Sequence, residues 1–260
     1  QALASASEDD VLKLWQGLGY YSRARNLHKT AQQIAFELDG NFPSSYKELL
    51  KLKGIGEYTA AAIASFAYNE NVPVVDGNVF RVLSRYFDIE TDIASAGAKK
   101  EFTLLASELL PKGKANLFNQ AIMEFGALQC VPKNPDCSSC VLNDSCLALQ
   151  KKKVAQLPVK LKKTKVTPKF FNYLVFLDED GNTLINKRTE KGIWHNLYQF
   201  PLLETATALD DETILSLIKE QNFIANEIDT IDLYNTENII HKLSHQHLTI
   251  KFWKVAVKGK

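Results

Sequence analysis

The sequence predicts two domains of different class, a mainly α-helical domain over residues 1–150 and a smaller α+β domain over residues 170–260. Three observations carry this. Apolar residues recur at helical spacing through the first part. From Phe170 onward the pattern turns to short apolar runs and alternation, the period of strands. Between the two lies KKKVAQLPVKLKKTKVTPK, residues 151–169, with eight lysines, two prolines and no acid, which is read as an exposed basic linker and solvated spacer, with phosphate contact as the alternative. A length of 260 residues suits one large domain or two smaller ones, and 45% hydrophobic with 23% charged residues is ordinary soluble globular composition. The formal charge is only +1, from 31 Lys+Arg against 30 Asp+Glu, which excludes a uniformly basic nucleic-acid binder but leaves room for a local basic patch. No apolar run approaches the roughly 18–20 residues of a transmembrane helix, and no basic segment followed by an apolar core opens the chain as a secretory signal does.

The elements follow in order. Ser7 and Asp10 frame a cap before Val11, Leu12, Leu14 and Trp15. Ser45-x-x-Glu48 is a capping-box pattern that predicts a helix running through Leu49, Leu50 and Leu52, broken by Gly54-Ile55-Gly56. An alanine-rich helix runs from Tyr58 to Tyr68, and Asp76-Gly77-Asn78 opens another with Val79, Val82, Leu83 and Tyr86 on one face. Leu104, Leu105 and Leu109, then Leu117, Ile122 and Phe125, predict two more. In the second domain Tyr173–Leu177 reads as a strand, Asp180-Gly181 as a turn, and Leu184-Ile185 as the continuation beyond it. Ile214, Leu217 and Ile218 mark a helix, and Leu248 to Val257 alternates as a strand.

All four cysteines fall in one stretch, Cys130-x6-Cys137-x2-Cys140-x5-Cys146. A disulfide framework would spread its cysteines to staple distant segments, so this clustering predicts a single metal site in a reduced compartment. Zinc modules usually pair two Cys-x2-Cys knuckles. Here there is one knuckle with wide flanking gaps, which suits four thiolates around a bulkier [4Fe–4S] cluster better, with zinc as the alternative. A second motif is Leu52-Lys53-Gly54-Ile55-Gly56-Glu57-Tyr58-Thr59-Ala60. Its two glycines permit a tight turn and close backbone approach, and the following helix aims free N–H groups at a phosphate, which binds DNA without reading bases. A third is Val74-Val75-Asp76-Gly77-Asn78-Val79-Phe80-Arg81-Val82, where Asp76 is an N-cap by position. Backbone N–H donors favour the charged form of a capping carboxylate, and a carboxylate beside a sugar suits an oxocarbenium-like transition state. A fourth is Gly17-Leu18-Gly19-Tyr20-Tyr21-Ser22-Arg23-Ala24-Arg25-Asn26-Leu27, two aromatics beside two arginines, a pattern for a wedge against bases with phosphate anchors. The fifth, His241-Lys242-Leu243-Ser244-His245-Gln246-His247-Leu248, has histidine spacings of four and two that fit no standard zinc finger.

Together these motifs resemble the endonuclease III and MutY family of DNA repair glycosylases, over nearly the whole chain. The resemblance implies a helix-hairpin-helix glycosylase domain with a [4Fe–4S] loop at 130–146, followed by a C-terminal Nudix-like domain. Gly192-Ile193-Trp194-His195-Asn196-Leu197-Tyr198-Gln199-Phe200-Pro201 resembles a Nudix fold, but no Arg-Glu and Glu-Glu set follows Pro201 to hold magnesium, so this domain is expected to recognise rather than hydrolyse. The resemblance assigns the cluster ligands to Cys130, Cys137, Cys140 and Cys146. It implies that Asp76 stabilises or captures the sugar cation, with Asn78 positioning neighbouring groups or water. DNA contacts are implied for Tyr20, Arg23, Lys53, Gly54, Ile55 and Gly56. Lys53 stands where the family usually has Pro. Strand-cleaving members carry Lys at the Tyr58 position; Tyr58 cannot form a Schiff base, which implies a monofunctional, adenine-specific enzyme. Ser244 and His245 would probe 8-oxoguanine, with Leu243 in place of the family's Phe. The implied partner is double-stranded DNA with adenine opposite 8-oxoguanine or guanine, bound by a monomer in the cytoplasm, at the nucleoid if bacterial, with no membrane. The rival within the family is an endonuclease III-like bifunctional enzyme; a non-catalytic lesion-binding protein is the rival outside it. The family's N-terminal Glu-x-Met-Leu-Gln-Gln-Thr, whose Glu protonates the leaving adenine, does not occur, and Glu57, Glu90 and Glu124 sit in other contexts. The chain opens on Gln1, so an upstream segment is expected, the Nudix-like domain is expected to stop early, and these 260 residues alone are expected to be nearly inactive as a glycosylase.

Overall fold

In the computed structural model the chain divides into two compact units, residues 1–163 and 164–260. The structure describes residues 1–161, 165–221, 223–225 and 227–259; Lys162 and Lys163 of the expected linker, with Thr164, lie outside the described residues. The first unit is helical: α1 (Ala2–Ser5), α2 (Glu8–Leu14), α3 (Tyr21–Gln32) continued by a π-helical turn (Gln33–Glu37), α4 (Tyr46–Leu49), α5 (Glu57–Tyr68), α6 (Gly77–Phe87), α7 (Ala98–Leu109), α8 (Ala115–Leu128) and α9 (Leu147–Gln150). Ser7 caps α2, accepting from the Asp10 N–H at 3.1 Å. Ser45 caps α4 as expected, accepting from the Glu48 N–H at 3.3 Å while its hydroxyl donates to the Glu48 carboxylate at 2.9 Å, yet α4 ends at Leu49, short of the Leu52 predicted. Leu49 and Leu52 still share one face and join Ala60 and Ala64 of α5 in a core cluster, and the chain then turns through Gly54 at positive φ. A second cluster joins Val79 and Leu83 of α6 to Ala98, Phe102 and Ala106 of α7. Helix α6 also packs on α8 and α9, and α5 packs on α8, so α6 and α8 form the unit's centre.

Among the described residues, the second unit is a five-stranded mixed sheet with one helix. Its order is β4 (Leu202–Thr205), β1 (Thr167–Leu177), β7 (Gln246–Val257), β5 (Ile228–Leu233), with β6 (Ile239–Lys242) pairing the other half of β7. The two long strands β1 and β7 are parallel; β4, β5 and β6 pair antiparallel. Alternation sorts the side chains as expected of strands. Leu174, Phe176, Trp253, Val255 and Val257 face α10 (Asp211–Gln221) through Ile214 and Ile218. Phe171, Tyr173, Leu248 and Ile250 face the other way, under Ile193, Trp194, Phe200 and Leu243. A separate two-stranded ladder joins β2 (Asn186–Lys187) and β3 (Tyr198–Gln199).

Two expectations need correction. Leu184 and Ile185 form no strand; β2 starts after them and lasts two residues. The 151–169 stretch is not a uniformly exposed spacer. Leu157 is buried, the Ile93 N–H donates to the Val159 carbonyl at 3.0 Å, and β1 begins at Thr167. Lys151 and Lys153 are spent on Asp88, which caps α6 in the left-handed region, and Lys153 also pairs with Glu90. The lysines read as solvated charge thus tie the segment to the helical unit. The cause was invisible in the segment itself, since its partners lie some sixty residues upstream.

Candidate functional site

Helix α3 supports the two elements expected to meet DNA. Its N-terminus follows Gly17 and Gly19, both at positive φ, and Tyr20, itself left-handed at φ 47°. Tyr20 is 71% exposed, and the Arg23 guanidinium lies 4.9 Å from the centre of its ring. Trp15 closes the turn by donating to the Gly19 carbonyl at 2.9 Å. Further along, α3 grips the hairpin before α5. The Thr30 hydroxyl donates to the Lys53 carbonyl at 2.5 Å, and the Gln33 side chain accepts from the Lys53 N–H at 2.8 Å. Gly54 has φ +77°, and a Cβ there would lie 2.4 Å from the Asn26 side chain. The bareness of Gly54 therefore serves packing against α3, whereas Gly56 has open space where its Cβ would be. Lys53, Gly54, Gly56, Glu57, Tyr58 and Thr59 are exposed, and Ile55 is half-buried. Gly56 caps α5 without a side chain, so the first N–H groups of α5 face outward as a helix N-terminus suited to an anion. Glu57 would repel a phosphate there, and it is ion-paired to Lys99.

Asp76 caps α6. Its Oδ1 accepts from the Asn78 N–H at 2.8 Å and the Val79 N–H at 2.9 Å, and its Oδ2 accepts from the Asn78 amide at 3.0 Å. Three donors fix the plane of a carboxylate that offers about four acceptor positions. The extended run before it is fixed by buried Asn119 of α8, which accepts from the Val74 N–H at 3.0 Å and donates to the Val72 carbonyl at 2.9 Å. About two turns further along α8, Gly126 leaves room for Asn78; a Cβ on it would lie 2.8 Å from the Asn78 Cβ and 3.0 Å from its carbonyl oxygen.

Arg81, 8% exposed, joins this carboxylate to the cysteine loop. It donates to the Asn78 side-chain oxygen at 2.9 Å, the Gly126 carbonyl at 2.6 Å and the Cys130 carbonyl at 2.7 Å. Burial lowers its pKa from the ordinary guanidinium value, Cys130 opposes that, Arg85 adds to it, and Asp76 opposes it. One turn on, Arg85 donates to the Cys130 sulfur at 3.3 Å. All four cysteines line one cavity with Arg85 and Tyr86. Burial pushes the Cys137 thiol up, the other three cysteines push it further, and Arg85 pulls it back. Asp136 builds the Cys137-x2-Cys140 knuckle by accepting from the hydroxyls of Ser138 and Ser139 at 2.6 and 2.7 Å. The Leu142 N–H points at the Cys140 sulfur at 3.4 Å. Among the described residues no three His, Cys, Asp or Glu are drawn together as metal ligands. The donor set still fits an anionic iron–sulfur group: four thiols in one cavity, with a guanidinium and a backbone N–H aimed at two of the sulfurs.

In the second unit Ser244 and His245 are exposed at the turn between β6 and β7. Leu243, which stands in place of the family's Phe, is half-buried and packs against the cluster of Phe171, Tyr173, Leu248 and Ile250.

The structure thus brings Tyr20, Arg23 and the hairpin residues onto α3, and ties Asp76 and Asn78 to the cysteine loop. Arg81, Arg85, Asn119 and Gly126 escaped the sequence reading. Asn119 did carry a signal, a polar residue on the apolar stripe of α8. An i, i+4 pair of arginines on α6 carries none, because solvated helices show the same pattern.

Comparison with known proteins agrees with this arrangement. Residues 1–110 match the family described as HhH-GPD superfamily base excision DNA repair protein, and residues 172–260 match the NUDIX domain family. A relative from Buchnera aphidicola subsp. Schizaphis graminum, described as an adenine DNA glycosylase, is 37% identical over 250 residues, 96% of this chain and 69% of its own length. A thermostable thymine-DNA glycosylase structure superposes with a TM-score of 0.53 at 30% identity, over 57% of this chain and 69% of that one. A trapped endonuclease III–DNA covalent intermediate superposes with a TM-score of 0.50 at 25% identity, over 58% and 69%.

Proposed function

The chain belongs to the adenine DNA glycosylases of the helix-hairpin-helix superfamily, and from that premise we propose how its residues excise adenine from duplex DNA. The enzyme is a DNA N-glycosylase of base excision repair, and the relatives do not favour the endonuclease III-like or non-catalytic alternatives. The finer reading is a monofunctional enzyme acting on adenine opposite 8-oxoguanine or guanine, with a [4Fe–4S] cluster on Cys130, Cys137, Cys140 and Cys146.

The observation that carries it is the Asp76 carboxylate, fixed by three donors at the head of α6. Adenine must leave the base stack before its glycosidic bond can be reached. Tyr20, exposed beside Arg23, is the wedge against the bases, and the hairpin from Lys53 to Gly56 with the α5 N-terminus holds a phosphate. The bond from sugar C1′ to adenine breaks with its electron pair going to the base. Asp76 stabilises the positive charge left on the sugar, and water adds to C1′, its released proton neutralising the departing adenine. Asn78 keeps Asp76 in its plane. Tyr58, 47% exposed near the start of α5, supplies no amine for a Schiff base. Cys130, Cys137, Cys140 and Cys146 would hold the cluster, which when bound would brace the loop that carries them. Ser244 and His245, exposed at the β6–β7 turn, are the hydrogen-bonding groups for the oxidised base on the opposite strand.

The test uses the intact protein on duplexes with adenine opposite 8-oxoguanine, guanine or thymine, with and without borohydride. The first two should lose adenine and leave an uncut, alkali-labile strand with no trapped adduct. A borohydride-trapped covalent complex, or equal release opposite thymine, rules out this reading.

A further inference from the structure

Arg85 is 3% exposed, and among the described residues no carboxylate pairs with it. Its partners are the carbonyls of Val131 at 2.8 Å, Pro132 at 3.1 Å and Leu157 at 3.0 Å, and the Cys130 sulfur at 3.3 Å. Its own carbonyl faces the Cys146 sulfur at 3.6 Å. Carbonyl dipoles satisfy its N–H groups, but they do not neutralise a buried cation, which is costly without a counter-charge. Four thiolates wrapped around an iron–sulfur group would provide one in the same cavity. The Leu157 contact lies beyond the last cysteine, and Val154 of the same segment lines that cavity. One guanidinium therefore bonds the first cysteine, the backbone after it and the segment whose Val154 lines the cavity.

We propose that Arg85 is a positioning residue for the iron–sulfur group: it donates to the Cys130 sulfur, compensates the group's negative charge, and fastens residues 154–157 beside it. This rests on the reading that the four cysteines hold the cluster. Hydrogen bonds to ligand sulfurs and local charge are what set a cluster's potential and its access to solvent. Removing the cation should therefore lower the potential and open the cavity to water and chelators.

The experiment compares wild-type, Arg85→Gln and Arg85→Lys proteins purified anaerobically, with far-UV circular dichroism as the check on folding. Iron per chain, the rate of iron transfer to a ferrous chelator, and the midpoint potential are measured. Losing an outer-shell partner typically costs about 10–100-fold in metal affinity, so Arg85→Gln should release iron at least about ten-fold faster, at a more negative potential. Arg85→Lys keeps the charge but not the planar fork. It should hold its iron and its potential more closely while still releasing faster, because the Leu157 tie is lost; it decides the matter if the Gln variant does not fold. Iron-loaded wild type with variants of unchanged release and potential overturns this inference alone. Wild type that binds no iron overturns it together with the cluster reading.

Discussion

Gly54 shows how one residue can be right in the sequence for an incomplete reason. Its place in a Gly-x-Gly turn was legible, but what fills the space where its side chain would stand is Asn26 of α3. Replacing it with Ala costs about 1–2 kcal/mol for the left-handed backbone alone, and the overlap with Asn26 adds to that. Gly54→Ala should weaken binding to undamaged duplex and to lesion duplex alike, since a phosphate grip reads no bases. Fluorescence anisotropy with both duplexes checks this; loss confined to the lesion duplex argues against a backbone grip. Asp76 was legible as a cap, and its three donors agree with that position. Arg81 and Arg85 were not legible, because nothing in a sequence separates a guanidinium buried on carbonyls from one in water.

Helix α6 organises the first unit from end to end. Asp76 stands at its head, Arg81 projects toward the cysteine loop from its middle and Arg85 from its last turn, and Asp88 closes its foot. Its start and apolar face were readable from Asp-Gly-Asn and the spacing of Val79, Val82 and Leu83. Its seat on α8 was not, because the contact depends on the absence of a side chain at Gly126. Gly126→Ala drives a methyl against the Asn78 backbone, an overpacking that costs about 1–3 kcal/mol. The account predicts a lower melting temperature and a larger fall in kcat than in duplex affinity; a full-rate Gly126→Ala protein contradicts the α8 seat. At the foot, hydrogen bonding to Lys151, followed by that to Lys153, holds the Asp88 carboxyl below its ordinary range. A depressed folded pKa gives stability that is present above the unfolded value and is lost as pH falls through the folded one. Amide exchange at Lys153 and Leu157 should stay slow from neutral pH into mild acid and quicken only in stronger acid. In Asp88→Asn it should already be fast at neutral pH, and unchanged protection in that variant refutes the tie.

At the scale of the whole molecule, the class of each unit was legible because periodicity reports burial, and burial follows from which face of an element meets a core. The strands β1 and β7 and the helix α10 lie where alternation and apolar spacing put them. Short elements such as β2 and β3 were not, since two residues carry no period. The basic segment was misjudged because its lysines answer acids on another element. The chemistry proposed for the site rests on one carboxylate, so the most direct measurement is single-turnover adenine release by the intact protein and by Asp76→Asn, from a duplex with adenine opposite 8-oxoguanine, with Kd measured in parallel. Loss of a stabilising group aimed at transition-state charge costs roughly 10²–10³ in rate. The account predicts a fall of at least about that size with duplex affinity retained, and an Asp76→Asn protein that releases adenine at the wild-type rate would contradict it.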